Sequence, residues 1–160
     1  MEKKQPAAPM TAVIPDDARR LATSSRFVTV STLDEKGMPE TRIMFSLRRG
    51  RDAKKPVFAG LGSDFATLLG TSASSRKTTQ IRRDGRACLY YSANSQFKGL
   101  SVKGRLEEVD DPAIRAALWK PAWEMYYPGG CEGGDFSVFR FWPETGRYYH
   151  GLQVAEFDAR

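Results

Sequence analysis

The run Thr71-Ser72-Ala73-Ser74-Ser75-Arg76-Lys77-Thr78-Thr79-Gln80-Ile81 brings hydroxyls and cations together where a strand end feeds a short helix. Ser74 or Ser75 is a natural N-cap, and Gly85 stands where such a helix would stop. Arg76 and Lys77 then fall in the first helical turn, where the helix dipole disfavours cations. An anion in the same space resolves that misplacement. Unpaired backbone N–H groups, hydroxyls and two cations at one point describe a phosphate cradle. A solvated, basic helix start is the other reading of the same residues.

The rest of the chain must position that segment. Residues 1–14 (Lys, Gln, Ala, Pro) read as a disordered tail, and 15–160 as a single domain. Pro15 to Ser25 predicts a short helix with Asp16 and Asp17 in its first turn. Phe27 to Leu33 and Glu40 to Leu47 predict two strands joined by a turn at Asp34-Glu35-Lys36-Gly37. Arg48 to Ser63, basic and then Gly-rich, reads as a loop, and Phe65 to Thr71 as a third strand. Arg86 to Ser92 and Leu100 to Val109 are two more strands. Asp111-Pro112 opens a helix that Pro121 ends, with Ile114, Ala117 and Leu118 on its apolar face. Phe136 to Trp142 predicts a strand, Pro143 to Gly146 a turn, and Arg147 to Phe157 the closing strand or strands. About six antiparallel strands with a few helices predict a mainly β protein, a small β-barrel with peripheral helices.

Composition narrows the chemistry. The formal charge of +6, from 25 Lys and Arg against 19 Asp and Glu, favours anionic partners. No nucleic-acid-binding motif accompanies the charge, so a small phosphorylated ligand is the better explanation than nucleic acid. Two cysteines (Cys88, Cys131) and a single histidine (His150) leave little material for a disulfide framework, a metal site or a Ser-His-Asp triad. Neither an apolar run long enough to span a bilayer nor a signal-peptide core is present, which points to a cytoplasmic protein. No Gly-x-Gly-x-x-Gly follows a strand, so the pyrophosphate of a dinucleotide has no evident seat.

Taken in order, Arg42-Ile43-Met44-Phe45, Thr71 to Lys77, Tyr90-Tyr91, Asp110-Asp111-Pro112 with Trp119, Trp123 to Gly130 and Phe139 to Pro143 resemble the pyridoxamine 5'-phosphate oxidase-like family. The pattern is closest to its small general-stress-protein-type branch and runs from about Pro15 to Phe157. The resemblance implies an FMN-binding split β-barrel, usually a homodimer with two flavin sites at the subunit interface. Carried over by position, it places one flavin segment on Arg42, Ile43, Met44 and Phe45, with the arginine toward phosphate or the polar edge of the ring. A second falls on Thr71 and Ser72 and a third on Ser75, Arg76 and Lys77, where the cation argument had already led. A ring contact falls near Phe97 or Lys98, and the aromatic beside the flavin on Tyr149.

The resemblance also has departures. The full oxidase carries a polar residue where Phe97 or Lys98 stands and a C-terminal arginine segment for its vitamin substrate. This chain lacks an evident equivalent of that segment, and the basic cluster at Arg48, Arg49, Arg51, Lys54 and Lys55 falls in a segment that reads as a mobile loop. Oxidation of pyridoxamine 5'-phosphate is therefore not expected. The expected function is an FMN-dependent oxidoreductase of unassigned small-molecule substrate, with a reductant such as NAD(P)H as partner. The alternative is a flavin-binding store or stress-linked sensor without turnover, and the family leaves deazaflavin and heme open as ligands. No catalytic residue is assigned. His150 reads as a structural residue; Trp119, Trp123 and Trp142 read as core and dimer-interface anchors.

Overall fold

A computed structural model of the chain describes residues 16–160. The expected tail at 1–14 lies outside the described residues.

The first strands follow the residues closely. Strand β1 (Phe27–Leu33) alternates, sending Val28, Val30 and Thr32 inward. It pairs antiparallel with β2 (Pro39–Phe45) through a turn that Asp34 organises, its Oδ1 accepting from the Lys36 and Met38 amides at 2.9 and 2.8 Å. Gly37 completes the turn at φ 79°, a left-handed conformation that glycine tolerates. Helix α1 (Asp16–Ser24) precedes the hairpin and is tied down by Asp17, which accepts from Lys98 Nζ at 3.0 Å.

The remaining elements are α2 (Pro56–Ala59), β3 (Thr67–Ser72), α3 (Arg76–Arg83), β4 (Arg86–Ala93), β5 (Lys98–Glu108), α4 (Pro112–Leu118), β6 (Phe136–His150) and β7 (Gln153–Asp158). Pairing runs β2-β1-β4-β5-β6-β3, with β7 added to β6, and every pair is antiparallel. The sheet curls into a barrel, and the end strands β2 and β3 touch without pairing. That gap makes it a split barrel, of seven strands among the described residues where the sequence predicts about six.

Three expectations need correction. The predicted turn at Pro143–Gly146 does not exist, because β6 runs unbroken from Phe136 to His150. Proline lacks a backbone donor, and Pro143 is accommodated opposite Gly104, where the β5–β6 register shifts at a bulge between Lys103 and Gly104. The chain reverses later, at Gly151 (φ 59°).

The basic segment 48–63 is not a mobile loop either. It carries a 3₁₀ turn (Asp52–Lys54) and α2, and it buries Phe58 and Leu61. Arg48 stitches it down by donating to the carbonyls of Ser63 (2.7 Å) and Ala66 (2.8 Å). Gly85, finally, is not a left-handed helix stop: α3 ends with Asp84 in extended conformation. A side chain at Gly85 would collide with the Leu106 carbonyl, so the glycine serves close approach to β5.

The described residues build two cores rather than one. The barrel interior holds Val30, Leu89, Leu100, Val102, Phe139 and Phe141. A second cluster forms outside β3 and β6, where Trp119, Trp123 and Tyr127 pack round the buried Phe136, with ring centroids 5.2–5.8 Å from it. Those aromatics are therefore spent on a core and cannot argue for a dimer. Trp142 is partly exposed, its indole N–H donating to Glu107 at 2.8 Å.

Helix α4 starts as its residues predict. Asp111 Oδ1 accepts from the Ala113 amide at 2.8 Å, and Pro112 fills the first helical position. It ends at Leu118, and Pro121 instead opens a 3₁₀ turn (Pro121–Met125) that carries Trp123 into the second core. Asp111→Ala should cost about 1 kcal/mol, read as a lowered midpoint in denaturant with unchanged slope.

Candidate functional site

The cations singled out at the start of α3 meet a strand. Arg42 lies near the middle of β2, and its guanidinium is largely buried. It donates to Thr32 Oγ1 at 2.6 Å, to Gln80 Oε1 at 3.0 Å and to the Val30 carbonyl at 3.3 Å. Gln80 comes from α3 and is itself buried. Its Oε1 also accepts from Thr32 Oγ1 at 2.6 Å, and its Nε2 donates to Glu40 Oε2 at 2.6 Å. Glu40 in turn pairs with Arg76. One network thus joins β1, β2 and the first turns of α3.

The electrostatics of this network are lopsided. Burial lowers the pKa of Lys77, and the positive charge of Arg42 lowers it further. Burial likewise lowers that of Arg42; Glu40 opposes the shift, and Arg76 adds to it. Arg42 and Arg76 therefore share the Glu40 carboxylate, Lys77 adds its charge beside Arg42, and Arg42 and Lys77 are partly desolvated. At the helix start, the Arg76 and Lys77 amides have no intrahelical acceptor, whereas those of Thr78 and Thr79 bond the Ser75 carbonyl. A dianionic group would relieve the repulsion and find donors already in place. A phosphate fits this donor set.

The hydroxyls of the loop are arranged differently. Ser72 Oγ contacts both carboxylate oxygens of Asp135 at 2.8 Å, and the Ser74 amide donates to the same group at 3.1 Å. These contacts hold the Asp135 carboxyl below its ordinary range. Ser75 occupies the N-cap position, but its hydroxyl meets Thr78 Oγ1 at 3.1 Å rather than a backbone amide. Thr71 is buried in β3.

The other predicted residues lie on the outer face of the sheet. Ile43 and Tyr90 both pair with Thr29, so they share that face; Met44 points the opposite way and packs against the barrel core. Phe45 stacks on Phe27 with centroids 5.3 Å apart. Further across, Tyr149 and Tyr90 meet hydroxyl to hydroxyl above Gly99, whose missing side chain leaves room for both rings. Desolvation and that contact push the Tyr90 phenol up to about 12. Phe97 adopts φ 49° and sets its ring 6.0 Å from that of Tyr149. Lys98, by contrast, is committed to Asp17 of α1, and His150 is exposed at the end of β6. Arg42, Arg76 and Lys77 are thus brought together, while Tyr149 meets Tyr90 and Phe97, and Lys98 meets Asp17.

Sequence reading missed Glu40, Gln80 and Asp135. Glu40 was visible in principle, two residues before Arg42 on the same strand face, and Gln80 lies one turn along α3 from Arg76. Asp135 gave no local signal, since it reaches Ser72 from a distant loop. Among the described residues, no cluster of His, Cys, Asp or Glu could hold a metal ion, and no helix is long and apolar enough to cross a membrane.

Comparison with known proteins agrees with this architecture. The family model described as pyridoxamine 5'-phosphate oxidase matches residues 14–150. A Clostridium acetobutylicum protein related to general stress protein 26, of the pyridoxinephosphate oxidase family, superposes with a TM-score of 0.71 at 29% identity, covering 89% of this chain and 92% of that one. General stress protein 26 from Bacillus anthracis gives 0.67 at 14% identity, with 89% and 97% covered. A heme binding protein from Mycobacterium smegmatis gives 0.67 at 19%, with 92% and 60% covered; at these lower identities the likeness is one of fold. No curated protein matches the chain.

Proposed function

The chain belongs to the pyridoxamine 5'-phosphate oxidase family, and from that premise we propose that it binds FMN and serves as a flavin-dependent oxidoreductase. The observation that carries the proposal is the trio Arg42, Arg76 and Lys77: Arg42 and Lys77 are partly desolvated, and Arg42 and Arg76 both face the Glu40 carboxylate. Arg76 and Lys77, with the first amides of α3, would hold the phosphate. Arg42 is fixed by Thr32 and Gln80, so its guanidinium meets an anion without first being ordered. FMN would supply the electron and hydride chemistry. Ile43 and Phe45 offer an apolar outer surface for the ring, and burial keeps the Tyr90 phenol protonated at neutral pH, so that its hydroxyl serves as a hydrogen-bond donor.

Identification of the ligand by mass, followed by anaerobic mixing with NADPH or NADH, tests this reading. Bound FMN that bleaches on mixing supports it. FMN that stays oxidised with every reductant would indicate a carrier or sensor, and a heme or deazaflavin mass would replace the ligand. Pyridoxamine 5'-phosphate should be oxidised negligibly; oxygen-dependent formation of pyridoxal 5'-phosphate by the FMN-loaded protein, at about one turnover per second or faster, would overturn this.

We further propose that two copies assemble through the outer sheet face. Phe27, Ile43 and Phe45 are 46%, 69% and 56% exposed side by side there, an apolar patch unusual for a free surface. Light scattering should return twice the 17.9 kDa chain mass at micromolar concentration. A value near one chain mass would overturn the dimer.

A further inference from the structure

The ordered basic segment leaves a feature that the flavin reading does not use. Where β2 ends at Phe45, a cavity of about 510 Å³ opens between that ring and Trp123. Arg26, Arg49, Arg51 and Lys120 line it, against one carboxylate, Asp52. Asp52 is already engaged by Lys55 at 3.0 Å and Lys120 at 3.4 Å. Among the described residues, none of the three arginines has a carboxylate partner; Arg26 lies over the Phe27 ring instead, at 5.2 Å.

These cations hang from a fixed backbone. The Ser46 amide bonds the Arg26 carbonyl at 3.1 Å, the Gly50 amide bonds Thr23 of α1 at 3.2 Å, and the Asp52 and Lys54 amides bond the carbonyls of Arg49 and Arg51 at 3.0 and 3.2 Å. Several unneutralised cations on an ordered wall make an anion site. The flanking rings of Phe45 and Trp123 add a surface for a flat apolar group, and Lys120 sits 5.9 Å from the Trp123 centroid. The volume suits a small organic molecule. Phe45 lies three residues along β2 from Arg42, roughly 10 Å at the rise of a strand, so this pocket is separate from the Arg42–Lys77 cluster yet borders the same strand.

We propose that this pocket binds the phosphate-bearing end of a phosphorylated aromatic redox partner, of the kind carried by NADPH and absent from NADH. The placement beside a flavin rests on the FMN reading; the anion site does not. The probes are adenosine 2',5'-bisphosphate and adenosine, titrated calorimetrically into the FMN-loaded protein so that the other cation cluster is filled. The bisphosphate should bind at least tenfold more tightly than adenosine. Arg49→Ala/Arg51→Ala should erase that preference while leaving FMN affinity and the thermal midpoint unchanged. Lys77→Ala protein, titrated without FMN, should keep it. Equal binding of the two probes, loss of the preference in Lys77→Ala but not in the double variant, or binding of pyridoxal 5'-phosphate in place of the bisphosphate would each overturn the proposal. Failure of FMN to bind, with the bisphosphate preference intact and abolished by the double variant, would remove the flavin reading and leave this site standing.

Discussion

Lys77→Ala should weaken FMN binding roughly ten- to a hundredfold and leave riboflavin binding unchanged. The lysine stands in the first turn of α3 with burial and Arg42 both acting against its charge. A phosphate there would accept a charge-assisted hydrogen bond, a contact worth about 1.5–3 kcal/mol. Removing the side chain should not harm the fold, because the Arg42–Thr32–Gln80–Glu40 network does not include it. The same residue sets a pH dependence. Its charged form is disfavoured in the free protein and would be favoured by a bound phosphate, so the complex takes up protons relative to its parts. Linkage then requires FMN affinity to fall as pH rises, beginning below the ordinary lysine range. In Lys77→Ala the alkaline fall should vanish. A fluorescence titration across neutral to alkaline pH reads both effects, and an unchanged dissociation constant in the variant would remove Lys77 from the site.

Gly104→Ala should destabilise the fold by on the order of 3 kcal/mol or more. Gly104 lies opposite the β6 bulge, buried, with the Trp142 carbonyl oxygen and the Phe141 ring occupying the space a Cβ would need. The obstacle is backbone, which cannot rotate aside as a side chain does, and the strands on both sides are fully paired. The bulge also accommodates Pro143 in β6, so displacement there would disturb the longest strand of the sheet. For a chain of this size the loss corresponds to roughly 6–12 °C in thermal midpoint. Gly134→Ala is the control: no atom lies within 4 Å of its added Cβ, and its midpoint should hardly move. Equal midpoints for the two variants would show that β5 and β6 do not meet as described.

Local signals in the chain were reliable where the structure they govern is local. The β1–β2 hairpin, its Asp34 turn and the Asp111-Pro112 start of α4 follow from residues within a few positions of each other. Pro143 and Gly146 carry the same turn vocabulary, yet they lie inside β6, because a bulge at Glu144 of that strand, opposite Lys103 and Gly104, absorbs the irregularity without ending the strand. The basic segment reads as a loop by composition and is ordered by Phe58 and Leu61, which find their partners only once β3 and β6 have formed. The candidate site divides along the same line. The cations at 76 and 77 betray themselves by opposing the helix dipole, and Arg42 came through the family resemblance. Asp135, which holds the Ser72 hydroxyl, is set there by the pairing of β3 with β6.

On the proposed reading, Arg42, Arg76 and Lys77 form a phosphate site for FMN. Calorimetric titration of the ligand-free protein with FMN and with riboflavin tests it most directly, since the two differ only in the phosphate. FMN should bind at least tenfold more tightly, with the advantage shrinking as salt is raised. Equal affinities for the two would contradict the account.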